Sequence, residues 1–203
     1  MGRAQGLFIA IEGVDAVGKR TQTSLLKSWL QKQGMSVSTL SFPVYETTIG
    51  KEIRKFLVGK VSYPPQARAM LYAANRWEAK AELEGILSRT DVAIVDRYSG
   101  SNLAYGISNG LQLDWLTNLE SGLPAPDLTL VLDASPADLS PRRGTKDSYE
   151  RNLDLQAKAR KAYIDLAAKF GWIVVDANGG IDDTAESVRA AVARALEARG
   201  RTI

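Results

Sequence analysis

The sequence predicts an α/β fold, a parallel sheet of five strands flanked by helices. Three observations lead there. Five short apolar runs, Leu7–Glu12, Val37–Phe42, Val92–Asp96, Leu128–Asp133 and Trp172–Asp176, are continuous rather than alternating, as in strands buried on both faces. Helical stretches separate them, the arrangement of βαβ units. Four runs end in an acidic residue, Glu12, Asp96, Asp133 and Asp176. Ligands bind beyond the carboxyl ends of the strands in open sheets of this kind. For Asp133 and Asp176, a cap or turn role competes with a place in a site.

The helices follow from periodicity and stop signals. Gly18–Gln33 carries Leu25, Leu26, Trp29 and Leu30 on one face and stops at Gly34. Gln66–Leu87 begins after Pro64-Pro65 and reads as one long helix. Tyr149–Phe170 stops at Gly171, and Thr184–Arg199 repeats Val188, Val192 and Leu196 before Gly200. With 203 residues and no internal repeat, a single domain spanning 1–203 is expected.

Composition removes whole classes of chemistry. There is no histidine and no cysteine. That excludes Ser-His-Asp and Cys-His nucleophiles, His/Cys zinc sites, disulfides and iron–sulfur clusters. Carboxylates, lysine, arginine, hydroxyls and backbone remain. The net charge of +3 fits anionic ligands. Without a Lys/Arg block it does not point to nucleic acid. No apolar run approaches the roughly 20 residues of a membrane helix, and Met-Gly-Arg-Ala-Gln-Gly has no signal core. A cytoplasmic location, with no nucleic-acid or membrane partner, is expected.

The strongest motif is Gly13-Val14-Asp15-Ala16-Val17-Gly18-Lys19-Arg20-Thr21. It lies between the first predicted strand and the first predicted helix, the context a P-loop needs. Its glycines let backbone N–H groups form a nest for phosphate oxygens, and the helix N-terminus adds its dipole. Lys19 brings a full charge to the β- and γ-phosphates of ATP. The fold class thus sharpens to a three-layer P-loop NTPase fold. Arg20 stands where a Mg²⁺-binding Ser or Thr is usual, and guanidinium has no lone pair for a metal. Thr21 is rotated roughly 100° away along the helix. Asp15 and Asp96 are then the candidate Mg²⁺ ligands, partly through water, and Arg20 contributes charge near the phosphates. Val92-Ala93-Ile94-Val95-Asp96 reads as a Walker B strand with Arg97-Tyr98 directly after it. Arg97 at the strand's carboxyl end suits a second anion. The Asn-Lys-x-Asp motif of GTPases is absent, and Thr145-Lys146-Asp147 has the wrong spacing.

Over nearly its whole length the chain resembles the thymidylate kinase family. The likeness rests on Glu12-Gly13-Val14-Asp15 running into Gly18-Lys19-Arg20-Thr21, and on Asp96-Arg97-Tyr98 followed by Ser101-Asn102-Leu103-Ala104-Tyr105. Phe42-Pro43-Val44-Tyr45, Arg76 and Asp147-Ser148-Tyr149-Glu150-Arg151 also fit. The Gly-Lys-Arg-Thr variant, Asn102 and Tyr149-Glu150 look most like the mycobacterial branch. The resemblance implies transfer of the γ-phosphoryl of Mg·ATP to dTMP, and usually a homodimer. For the base, it implies Tyr72 stacking, Arg76 donating to O4, Pro43 touching the 5-methyl group and Asn102 serving N3–H or a carbonyl. Phe42, Leu57 and Tyr149 belong to the same pocket. Tyr105 crowds a 2′-hydroxyl, Asp15 accepts from the 3′-hydroxyl, and Arg97 with Tyr45 holds the acceptor phosphate.

The segment Ser140–Lys146 is basic and punctuated by Pro and Gly. It is expected to be part of a short lid, about residues 138–150, that closes over the γ-phosphoryl group. In the family the catalytic arginine comes from the P-loop or the lid. Because Ala16 follows Asp15, Arg142 or Arg143 is the expected source, with Glu150 and Asp147 ordering the lid. Two positions depart from the family pattern. Val44 stands where many members carry a phosphate-binding arginine, leaving Arg97, Tyr45 and Lys51 to do that work, and Gly106 replaces a common Gln. The rival readings are a P-loop kinase for another pyrimidine nucleotide or a deoxynucleoside, and a nucleotide-binding switch protein without an acceptor.

Overall fold

The computed structural model describes residues 6–135, Leu139 and residues 153–201. Its sheet has five parallel strands, β1 (Leu7–Glu12), β2 (Val37–Ser41), β3 (Val92–Asp96), β4 (Leu128–Asp133) and β5 (Ile173–Asp176), in the order β2-β3-β1-β4-β5. All five lie where the apolar runs place them. β1 is central, pairing with β3 from Leu7↔Val92 to Ile11↔Asp96 and with β4 from Ile9↔Leu128 to Glu12↔Val131. Parallel pairing brings all the carboxyl ends to one edge of the sheet.

β1, β3 and β4 are buried almost throughout, as continuous apolar runs require. β2 and β5 correct the expectation of strands covered on both faces. They are the sheet edges, and only Val175 among their residues is buried. Alternate side chains of β1 serve two clusters. Leu7, Ile9 and Ile11 join the larger core, and Phe8 and Ala10 join a smaller one.

α1 (Lys19–Lys32) matches its forecast within a residue at each end, and its Leu26 and Leu30 are buried. The long helix expected over Gln66–Leu87 is instead two, α3 (Pro65–Glu78) and α4 (Lys80–Arg89), meeting at Ala79. The two halves bury different faces. α3 turns Ala69, Ala73 and Arg76 inward, while Leu83 and Leu87 of α4 pack with Phe8, Ala93 and Val95. One straight cylinder cannot serve both. Periodicity did not reveal α2 (Thr48–Leu57), α5 (Ser99–Ser108) or α6 (Leu113–Glu120). α7 (Leu153–Phe170) is the described part of the helix expected from Tyr149. α8 (Ile181–Glu197) starts three residues before its forecast, because Gly180 N–H bonds Asp183 Oδ2 at 3.1 Å and caps an earlier turn. None of the described helices is long and apolar enough to cross a membrane.

The β1–α1 turn depends on one close approach. Gly13 has φ 135°, and a Cβ there would lie 2.4 Å from the Leu132 carbonyl oxygen. That oxygen is backbone of β4 and cannot swing aside. Gly13→Ala is therefore expected to cost about 2–5 kcal/mol from combined overpacking and backbone strain. Urea unfolding checks this, and a loss below about 1 kcal/mol would mean that the turn relaxes.

Candidate active site

The phosphate cradle is the loop from Gly13 to Gly18. Gly18 caps α1 in the left-handed region at φ 102°, and Ala16 is also left-handed at φ 66°. Gly13, Val14 and Val17 are buried, Asp15, Ala16 and Gly18 are half-buried, and Arg20 and Thr21 are exposed. Lys19 is 6% exposed, and its ammonium donates to the Gly13 and Val14 carbonyls at 3.0 and 2.8 Å. Burial, then the Arg97 charge, pull its pKa down to about 8 against the opposing pull of Asp15, Asp96 and Glu12.

Asp15 and Arg97 form the centre. Arg97 follows β3 directly and is left-handed at φ 61°, a sparsely populated conformation for a residue with a Cβ. Its guanidinium pairs closely with Asp15 Oδ1 and donates to the Gly13 carbonyl at 3.3 Å and Ser101 Oγ at 3.4 Å. Asp15 Oδ2 accepts from Tyr105 at 2.9 Å and from Gln156 Nε2 at 2.7 Å. Burial alone would raise the Asp15 pKa. Arg97, Lys19, Gln156 and Tyr105 together hold it below the usual carboxylate value. Burial would lower the Arg97 pKa, but Asp15, Tyr105, Tyr163 and Asp96 together push it well above its ordinary value. Burial and Asp15 likewise raise the Tyr105 hydroxyl.

Glu12 is 0% exposed. It accepts from Tyr98 N–H at 2.8 Å, Ser101 Oγ at 2.6 Å and Tyr163 at 3.2 Å. It thus braces the start of α5 rather than facing a ligand. Asp133 is held by Arg160 at 2.6 and 2.8 Å. Asp176 Oδ1 accepts from the Asn178 backbone at 2.9 Å. For these two, the cap and pairing role accounts for the carboxylates.

Beside the cradle opens a cleft walled by α3 and α5 and by the segment after β2. Ten of the described residues expected to hold the acceptor line it: Asp15, Phe42, Pro43, Tyr45, Leu57, Tyr72, Arg76, Arg97, Asn102 and Tyr105. Lys51 does not line it, whereas Arg68 does, without a forecast. Arg54 lies over the Tyr45 ring at 4.7 Å. Tyr149 and the lid residues Arg142, Arg143, Lys146, Asp147 and Glu150 lie outside the described residues.

Three supporting residues escaped sequence reasoning. Asn75 is 1% exposed and clasps Val44, accepting from its N–H at 2.8 Å and donating to its carbonyl at 3.1 Å. This fixes the Phe42–Tyr45 segment, which includes a cis Phe42-Pro43 bond. Gln156, on α7, grips both the Asp15 carboxylate and, at 3.3 Å, its backbone N–H. Glu120, on α6, pairs with Arg76 and accepts from Asn102 at 2.7 Å. The available signal was a polar residue in an otherwise apolar helix face, too common to single out.

Magnesium fits one position better than the other. Asp96 Oδ1 is buried without a hydrogen-bond partner, and Asp96 lies close enough to Lys19 to affect its charge. Both Asp15 oxygens are already engaged. Among the described residues no group of three or more acidic side chains converges as a metal cage.

A phosphate cradle on the central strand, with an arginine-lined cleft at its side, defines a P-loop nucleotide kinase. The thymidylate kinase family model matches residues 11–188. A thymidylate kinase from Dictyostelium discoideum is 34% identical over 91% of this chain and 83% of its own length. A probable thymidylate kinase from Pyrococcus horikoshii is 36% identical over 95% of this chain and 98% of its own. A solved thymidylate kinase from Candida albicans superposes with TM-score 0.80 at 31% identity, covering 97% of this chain and 93% of that one. The chain belongs to the thymidylate kinase family.

The Lys19 environment yields a pH dependence. Lys19 is expected to bind phosphate as the protonated amine, and that form is lost as pH rises through about 8 in the nucleotide-free enzyme. Bound phosphates favour the charged form. kcat/KM for ATP is thus expected to fall above about pH 8 while kcat holds to higher pH. Steady-state kinetics against pH test this, and a flat kcat/KM profile through pH 9 would overturn it.

Proposed function

We propose that this chain transfers the γ-phosphoryl group of ATP to dTMP, giving dTDP and ADP. One observation carries the reading: a cleft with apolar and aromatic walls holds Arg76 and Asn102 and reaches Arg97 beside the phosphate cradle. A pyrimidine fits the walls and a phosphate fits Arg97. An oxygen of the acceptor phosphate attacks the γ-phosphorus as its bond to the β–γ bridging oxygen breaks, and ADP leaves. The acceptor is already an anion, so no strong base is needed. Catalysis falls to positioned charge.

Lys19 holds the β- and γ-phosphates within the nest of Gly13–Thr21, with Arg20 adding charge nearby. Arg97 and Tyr45 orient the acceptor phosphate. Asp15 accepts from the 3′-hydroxyl and keeps Arg97 in place. Tyr72 stacks on the base within the slot of Phe42, Pro43 and Leu57. Asp96, and Asp15 through water, would hold Mg²⁺, which when bound spreads the charge of the phosphate oxygens. Arg142, Arg143 and Glu150 complete this reading as lid residues and Tyr149 as part of the dTMP pocket, in a single domain spanning 1–203 with the lid at about 138–150. Cytoplasmic action as a homodimer is part of the proposal. Met70 and Trp77, seven residues apart on α3, support the dimer as exposed apolar groups, at 47% and 42%.

The test is ADP release with a panel of monophosphates. Turnover is expected to depend on dTMP, to exceed that with dCMP or thymidine, and to vanish in Lys19→Ala. ATP turnover indifferent to dTMP would overturn the kinase reading, and preference for dCMP or a nucleoside would overturn the acceptor. Tyr105 supplies a second test. Trimming Tyr105→Ala is expected to narrow the preference for dUMP over UMP by about tenfold or more, since the ring crowds the 2′-hydroxyl. Unchanged exclusion of UMP would refute that role.

A further inference from the structure

We infer that Glu120 is a positioning residue that sets which pyrimidine edge the cleft can read, and this inference rests on the dTMP reading above. The carboxylate reaches from the end of α6 to the two side chains placed to face a base, on two other helices. Arg76 is 3% exposed, and its Nε donates to Glu120 Oε2 at 2.8 Å while Nη2 contacts Oε1. The same Oε1 accepts from Asn102 Nδ2 at 2.7 Å, and that nitrogen also donates to the Ala69 carbonyl at 3.2 Å.

Counting donors gives the consequence. Asn102 has two N–H groups, and Glu120 and Ala69 take both. A flipped amide would set its oxygen against two acceptors, so Glu120 and Ala69 fix the orientation. Only Asn102 Oδ1 remains to meet a ligand, as an acceptor. Arg76 spends one edge of its fork on Glu120 and keeps its other N–H groups as donors. The cleft therefore offers a donor and an acceptor. A 4-oxo pyrimidine presents the complement, O4 as acceptor and N3–H as donor. Cytosine presents the reverse, with its amino group toward Arg76 and N3 toward Asn102 Oδ1, and both meetings fail. Without the carboxylate, only the Ala69 carbonyl still holds the Asn102 orientation, and Arg76 can swing aside.

The experiment measures kcat/KM for dTMP, dUMP and dCMP with wild type, Glu120→Gln and Glu120→Asp. The glutamine amide can donate to a flipped Asn102 oxygen, which leaves only the Ala69 carbonyl to oppose the flip. The shorter aspartate keeps the charge but cannot hold both partners, and it stands in should Glu120→Gln not fold. The dTMP:dCMP ratio is expected to fall at least about tenfold, mostly through KM. The dTMP:dUMP ratio is expected to stay within about twofold, because the 5-methyl group is read elsewhere. A purely structural role lowers activity on all three substrates together, and an unchanged dTMP:dCMP ratio in the folded variants overturns the inference. Wild type that ignores dTMP overturns the functional reading instead, so the two failures are distinct.

Discussion

The pairing of Asp15 with Arg97 is the constraint on which the site depends. It joins the loop after β1 to the residue after β3, so the two central strands share a charge pair at their carboxyl ends. Two groups this buried are costly apart and acceptable only together, since removing either leaves an uncompensated charge. Gln156 and Tyr105 complete the Asp15 carboxylate, and Ser101 and Gly13 take further Arg97 donors. Helices α5 and α7 are thereby registered against the phosphate loop. The left-handed backbone at Arg97 is the local cost of aiming its side chain back over that loop.

Around this pair the molecule separates electrostatic work from shape. Cations cluster at the end proposed for the phosphates, at Lys19 and Arg97. The base end of the cleft is apolar and aromatic apart from a few polar groups, as small-molecule sites generally are. The absence of histidine and cysteine suits this arrangement. Transfer onto an existing phosphate uses fixed charges and needs no imidazole or thiol to cycle a proton. The modest net charge also acquires a meaning among the described residues, where Lys19 and Arg76 are buried, Arg97 is partly buried, and each is held by named partners.

What was legible in the sequence is what is local. The Gly13–Thr21 loop announces itself because its backbone demands glycine at set intervals and its lysine follows at once. Four of the strands announce themselves by largely apolar runs, whereas β2 reads Val-Ser-Thr-Leu-Ser and is apolar only at intervals. The supporting partners did not. Gln156 lies 141 residues from Asp15, Glu120 lies 44 from Arg76 and Asn75 lies 31 from Val44. Helical or strand periodicity carries no trace of such pairings. The bend at Ala79 was hidden for a related reason. α3 and α4 are each well-formed helix sequences, and the break shows only in the different neighbours that each buries. The edge strands were misjudged because an apolar run does not reveal how many neighbours it will find.

The central place of β1 also bears on how the chain is made. Leu7 pairs with Val92, and Ile9 pairs with Leu128. β1 therefore leaves the ribosome well before either partner and waits for both before its ladder is complete. Long-range parallel pairing of this kind is slow and exposes apolar edges meanwhile. The phosphate loop hangs on the end of that strand, and the Asp15 clamp closes only when Gln156 has emerged. A nascent chain thus holds the nucleotide motif long before it has a nucleotide site. Competence to bind ATP should arrive late and in one step during synthesis, rather than accumulate with length.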